Sequence, residues 1–404
     1  MEARANGEAT VTEKKPNVST QRPIFILLGL NLLTLIASNM TTPTLYLYAL
    51  ELGASVAYVG IIASVTSIAR LVSRIPIGLV SDRFGRRPIM RIGALGIAAS
   101  LMLLYLADKP LNVLLGSIIN ALGLTAIFTI GLTMASESQS SRKATGVSFF
   151  ALASSLAMVI APGTCSLLLL VLRIRTTYLI GALIGLGGIL CSIPLATLPS
   201  LRKAFDIRGS LKSLLKDKRV QFVATMEAFF SLAFNSIFVF FPLYLSEEFQ
   251  LTSAEISFLL TMYSLAMLTV RLPLPRILRR IEEKTIICLG FVDFALVLMI
   301  LPFSNTFVHF SALMLAAGTA HGLLFPSMAL VVSRSSRLDL GLANSLYLCA
   351  GDVVSIVAPI GIALLIEASG YGSFYMVVSA VIWIGFVYAL RERKNSGQSA
   401  ATSA

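Results

Sequence analysis

The feature that most constrains this chain is a run of apolar segments, each about the length of a membrane-crossing helix, separated by short loops that hold nearly all of the charge. A spanning helix needs about 20 mostly apolar residues, and twelve such segments can be laid out end to end. The first six cover approximately 24–50, 56–79, 88–107, 111–135, 145–172 and 177–199. The second six cover approximately 220–246, 254–275, 284–303, 306–333, 340–367 and 371–390. Only 13% of the residues are charged, about half the usual share of a soluble chain. The expectation is therefore an all-α integral membrane protein.

The distribution of Lys and Arg orients it. The termini and the even-numbered loops hold 26 of the 32, whereas the loops on the other side hold Lys109, Arg173 and Arg175. By the positive-inside rule both termini face the cytoplasm, which predicts a multi-pass protein of the plasma or inner membrane. A net charge of +12 in a soluble chain would point to nucleic acid; here the basic loops serve orientation, so no nucleic-acid partner is expected. The expected partners are membrane lipid and a small-molecule substrate, with the monomer as the working unit.

Residues 200–219, rich in Lys and Arg around Phe205, Leu211, Leu214 and Leu215, read as a basic helix lying on cytoplasmic headgroups. This linker separates two six-span halves, 24–199 and 220–391. The polar stretches 1–23 and 392–404 read as disordered cytoplasmic tails. The halves share weak internal similarity. Gly123 precedes Ser-Ser-Arg142 by 19 residues, as Gly318 precedes Ser-Ser-Arg337. Arg74-Ile-Pro76 matches Arg271-Leu-Pro273, and Ala161-Pro162 matches Ala358-Pro359. Three matches in the same order indicate a duplication, the usual origin of a transporter with two symmetric bundles. Pro162 and Pro359 are the expected helix-bending positions.

Arg74 to Pro88 reads RIPIGLVSDRFGRRP, with Gly78, Asp82, Arg83, Gly85, Arg86 and Arg87 at the spacing G-x-x-x-D-R-x-G-R-R. Physically, Gly78 removes a side chain where helices approach, Gly85 permits a tight turn, and Asp82 can meet the positive N-terminus of a neighbouring helix. This stretch resembles the signature loop between the second and third helices of the major facilitator superfamily. The resemblance implies two pseudo-symmetric six-helix bundles locked together on the cytoplasmic side. Asp82 would then face the start of span 11 near Arg337, and Arg83 or Arg86 would pair with Glu137. The opening TTPTLYLYALELGAS resembles the drug–proton antiporter branch. The span 4 arginine of that branch is replaced here by Ile119, and the glycines of its span 5 pattern are reduced to Ala161-Pro162-Gly163. The second half keeps the basic residues of the loop, but Arg279 stands where Asp82 would be.

Ionisable groups within membrane spans are costly and mark pathways. Arg70, Arg74, Arg271, Glu227, Asp293, Asp352 and His321 are the seven here. Arg74 is close enough to the cytoplasm to snorkel; Arg70 is deeper and suited to an acid or an anion. Asp352 shares a face with Gly341, Ser345, Ser355 and Pro359. His321 is either a titrating group or a packed histidine. Span 1 has a polar stripe of Asn31, Thr34, Ser38 and Thr42 that should face inward. Asn31, Asn120, Asn235 and His321 are polar candidates on spans 1, 4, 7 and 10, which line the cavity in the resembled family.

The four cysteines lie inside apolar runs without a C-x-x-C pair, so neither a disulfide nor a metal site is expected. No H-E-x-x-H, G-x-S-x-G or phosphate-binding loop occurs, which argues against an enzyme and against ATP as the energy source. The expectation is a secondary active transporter of a small organic solute, proton-coupled, needing no cofactor beyond an ion gradient, with efflux read ahead of uptake. The alternative is an uptake symporter or facilitator for a small organic anion or nutrient. More remote is a membrane sensor that no longer transports.

Overall fold

The computed structural model describes residues 22–137, 143–191, 193, 214–333 and 340–402, and the regular structure among them is helical throughout. The first half contains α1 (Arg22–Asn39), α2 (Leu45–Glu51), α3 (Val56–Phe84), α4 (Arg86–Tyr105), α5 (Pro110–Glu137), α6 (Lys143–Leu169) and α7 (Ile174–Cys191). The second contains α8 (Lys218–Asn235), a π-helical turn Ser236–Phe240, α9 (Phe241–Phe249), α10 (Ser253–Arg271), α11 (Leu274–Ile277), α12 (Glu283–Ile300), α13 (Phe307–Ser333) and α14 (Leu340–Thr402). Ten helical stretches among the described residues are long and apolar enough to cross a membrane. The last of these is broken in two at Gly370, whose φ of 77° ends one span and starts the next. With the shorter apolar helix Ile26–Asn39 the crossings number twelve.

Helices are the form in which a spanning segment satisfies its own backbone groups, which hydrocarbon cannot do. Local chemistry fixes where they start and turn. Ser55 caps α3 by accepting from Tyr58 N, and Thr252 with Glu255 forms a capping box on α10. Asp217 caps α8 through Arg219 N. Between α3 and α4 the whole turn is Gly85, at φ +95°, a conformation that glycine alone adopts cheaply. Large apolar side chains such as Val72, Leu79, Leu167 and Val171 remain exposed on the outer faces, where lipid would cover them.

Within the first half α1 packs on α6 and α7, and α4 packs between α5 and α7. In the second half α8 packs on α14, and α13 packs between α10 and α12. The glycines matched by the repeat both sit where backbones touch. A Cβ on Gly123 would lie 2.6 Å from Gly93 O, and one on Gly318 would overlap Tyr263 O. The halves meet along two seams, α3 against α14 and α6 against α10.

Three features differ from the sequence expectation. Span 1 is not continuous over 24–50: the helix is interrupted at Met40–Thr44. Pro43 has no N–H to donate, and the Thr41 and Thr44 hydroxyls donate to Ser38 O and Met40 O, competing with the helical ladder. Span 7 loses α-helical register over Ser236–Phe240, because Pro242 cannot donate to the carbonyl one turn earlier. Finally, α14 continues to Thr402 rather than ending in a disordered tail from 392, since extending an existing helix through Ala- and Gln-containing sequence costs little. Residues 1–21 of the N-terminal tail and 200–213 of the linker lie outside the described residues.

Candidate functional site

The seam between α3 and α14 is pinned by a charge pair. Arg74 Nη2 stands 2.9 Å from Asp352 Oδ2, with both side chains largely withdrawn from solvent. Arg74 therefore does not snorkel; an acid from the other half holds it inside the protein. The neighbouring residue explains how Asp352 is presented. Gly351 has no side chain because Glu227 and Ser231 of α8 occupy the space, and an added Cβ would lie 2.9 Å from Glu227 Oε1. Glu227 is buried against α14 one residue from Asp352, and its Oε2 has no hydrogen-bond partner. Two acids of the second half thus converge on the seam where an arginine of the first half enters. Arg70, one turn from Arg74, stays on its own helix and donates through Nη2 to Ser67 Oγ.

The other seam repeats this geometry. Arg271 of α10 donates from Nη1 to Ser155 Oγ of α6, again across the halves and again at 2.9 Å. Arg74 and Arg271 are 197 residues apart, and so are Ser155 and Asp352. The two contacts are one contact of the duplicated fold, with the carboxylate in one copy and a hydroxyl in the other.

Elsewhere the predicted polar residues knit each half internally. Asn31 donates to Ser154 Oγ, Ser38 donates to Asn120 Oδ1, and Asn120 donates to Ser100 Oγ. The span 1 stripe thus faces protein, as expected, but its Asn and Ser members are consumed in packing within the first half. Asn235 donates to Ser355 Oγ in the second half. His321 is packed: Nδ1 is 2.9 Å from Tyr263 Oη, and the ring lies among Phe230, Phe234 and Phe325. Asp293 is partly exposed on α12.

Thr42 has a different setting. With Asn39 it borders a small pocket between the halves, completed by Met158 and Pro162 of α6 and by Phe238, Leu260 and Ser264. The break in span 1 and the π turn in span 7 both open onto this pocket. Interrupted helices at corresponding places in two halves are where transporters build their sites. The equivalent proline, Pro359, lies on the other seam, its carbonyl 2.8 Å from where a Cβ on Gly60 would be.

The signature loop is only partly visible. The side chains of Asp82 and Glu137, and Arg337 entirely, lie outside the described residues. Arg83 is exposed, with its guanidinium 5.5 Å from the Phe84 ring centroid. Arg86 is buried. Arg87 and Arg91 both donate to the carbonyl of Ile193 at the end of span 6, which ties the loop to its own half. Gly78 has nothing within 4 Å among the described residues, and the side chains of 340–345, where span 11 begins, lie outside them.

Gly60 lies 18 residues before Gly78 on α3, five turns away and on the same face. At Gly60 a Cβ would meet Pro359 O at 2.8 Å and Ala363 Cβ at 3.0 Å. Ala57 N donates to Glu367 Oε1 beyond it, and on the other seam Ser166 Oγ donates to Ala254 O. The halves are therefore pressed together at the end away from the chain termini.

Sequence reasoning missed Gly60, Ser155 and Tyr263, together with the partner of Arg74. The repeat register would have singled out Ser155, because it places that residue opposite Arg271 once Arg74 and Asp352 are known to meet.

The family model described as Major Facilitator Superfamily matches residues 27–244 and 222–404. The inner membrane transport protein YajR of Escherichia coli (strain K12) is 28% identical over 200 residues, 46% of this chain and 42% of that protein. The matched stretch thus spans less than half of that relative. Among solved structures, a mutant of the nucleoside transporter NupG superposes with a TM-score of 0.78 at 16% identity, covering 91% of this chain and 99% of that one. The human organic anion transporter MFSD10 (TETRAN) superposes with a TM-score of 0.67 at 16% identity, covering 93% and 100%. Two six-helix bundles meeting along two symmetry-related seams, and a family model matching nearly the whole chain, lead to one conclusion: the chain belongs to the major facilitator superfamily.

Proposed function

We propose that this protein is a secondary active transporter that moves a small organic solute by rocking its two halves about the paired seams. The observation that carries this reading is the closure of both seams at the end away from the termini, with α3 pressed against α14 at Gly60 and α6 bonded to α10 through Ser166. Closure of the seams at that end is one of the two states that alternating access requires. The excess of Lys and Arg on the terminal side puts the closed end away from the cytoplasm, which fits the inward-facing state.

Proton coupling is assigned to Glu227 and Asp352 rather than to His321. Both acids sit where the halves separate, and Asp352 exchanges its arginine partner for water when the seam opens, whereas His321 is enclosed by aromatic rings within one half. Efflux driven by inward proton flow is the direction favoured by the antiporter-like span 1 to span 2 segment. Of the relatives above, one is a nucleoside transporter and one an organic anion transporter, which supports a small organic solute as cargo.

The test is counterflow of a panel of small solutes in proteoliposomes, with and without an imposed pH gradient. Asp82→Asn should slow turnover while leaving the protein folded, and Glu227→Gln should make the rate indifferent to the gradient. Normal turnover in the first variant removes the gating role of the loop. A wild-type rate unmoved by the gradient removes the proton.

A further inference from the structure

The duplication leaves one arginine without its acid. Arg74 and Arg271 occupy matching positions, and each reaches across a seam to the residue matching the other's partner, at the same 2.9 Å. Arg74 finds the Asp352 carboxylate; Arg271 finds only the Ser155 hydroxyl. No acidic side chain among the described residues pairs with Arg271, and its buried Nε has no hydrogen-bond partner. A guanidinium held inside a membrane protein without a counter-charge is strongly unfavourable. Its surroundings are aromatic: the Phe325 ring centroid lies 5.9 Å from the guanidinium carbon, and Phe230 and Phe234 flank His321.

We propose that Arg271, with Ser155, is the docking point for the carboxylate or sulfonate group of an organic anion whose apolar part lies against Phe325. The proposal rests on the transport reading above and deepens it by naming the substrate class. The anion supplies the charge that Asp352 supplies in the other seam. Because Arg271 and Ser155 belong to different halves, the bound anion contacts both halves, as cargo must if its presence is to affect their movement. An anionic lipid headgroup carries the same chemistry, so the experiment has to separate the two sources.

Purified full-length protein is assayed by thermal unfolding and by equilibrium binding of benzoate and benzenesulfonate, with neutral benzamide as the control. Both measurements are repeated with phosphatidylglycerol added. Either anion, but not benzamide, should stabilise the wild type, and the added lipid should not remove the response. Arg271→Gln should weaken anion binding about 10- to 100-fold, the range for a lost charge-assisted hydrogen bond; Arg271→Lys should retain part of it. Ser155→Asp guards against a misfolded variant. It restores the missing pair, so it should raise the unfolding temperature without ligand and abolish the response to anions.

A wild type that answers to neither anion overturns the proposal. So does an Arg271→Gln or Ser155→Asp variant that binds as the wild type does, or stabilisation by phosphatidylglycerol alone. If those results coincide with intact counterflow of a neutral solute, the substrate class is wrong and the transporter reading stands. Binding that follows the expected pattern without any counterflow has the opposite meaning.

Discussion

Gly60 offers the sharpest test of how the halves close. An alanine there puts a carbon 2.8 Å from Pro359 O and 3.0 Å from Ala363 Cβ. The first obstacle is backbone and cannot swing aside, so α3 and α14 must part by about 0.6 Å to regain ordinary contact, and by more for leucine. Overpacking of this kind costs about 1–3 kcal/mol. Because the strain exists only while this end is closed, it shifts the balance toward the state open at this end by about 5- to 150-fold. The assay uses Thr42→Cys at the central pocket as a reporter, in a background with Cys165, Cys191, Cys288 and Cys349 replaced. A membrane-impermeant maleimide is added on the side away from the termini. Gly60→Leu should label far faster than the parent, with Gly60→Ala between them. Gly29→Leu, where an added Cβ meets nothing within 4 Å among the described residues, should change nothing. A folded Gly60→Leu variant that labels no faster than the parent would refute closure at this end.

Three further outcomes follow from the same contacts. Asp352→Asn should destabilise the protein by roughly 3–5 kcal/mol by stranding Arg74, whereas Arg74→Met combined with Asp352→Leu should recover most of that loss, as read by thermal unfolding in detergent. A disulfide between Gly60→Cys and Ala363→Cys should arrest counterflow, and reduction should restore it, because a Cβ at Gly60 stands 3.0 Å from Ala363 Cβ while the far end is shut. His321→Gln keeps a side chain able to bond Tyr263, so it should lose about 1 kcal/mol or less and leave the pH dependence of transport unchanged; a displaced pH profile would return His321 to the proton pathway.

Much of the fold was legible because membrane insertion writes itself into sequence as length, hydropathy and charge asymmetry. Twelve spans, the two halves and the turn at Gly85 all follow from those signals and one glycine. The interruptions of spans 1 and 7 were harder to see, since a single proline within a long apolar run is compatible with a continuous helix. Pro43 breaks its helix, while Pro76 is carried within α3 through to Phe84. The difference lies in the threonines around Pro43, whose hydroxyls offer the backbone another partner. The site was less legible than the fold. Ser38 and Asn120 looked like cavity residues because a polar stripe must avoid lipid, but lipid avoidance is equally served by pairing with each other.

The intramembrane charges could be found in the sequence but not paired there, because pairing depends on which helices face one another across the seams. Once one contact is known, the duplication supplies the rest. The 197-residue register carries Arg74 onto Arg271 and Asp352 back onto Ser155, and the observed contacts obey it. Symmetry of the backbone with asymmetry of charge has a mechanical consequence. In the cycle proposed above both seams part and re-form, and among the described residues the ion pair across them belongs to the one between α3 and α14. Opening that seam breaks an attraction that the protein always possesses. With an anion docked beside Arg271 as proposed, the state of the other seam would depend on its presence. A duplicated fold in which one seam is self-latched and the other responsive makes movement of the halves conditional on occupancy, which a fully symmetric pair of salt bridges would not.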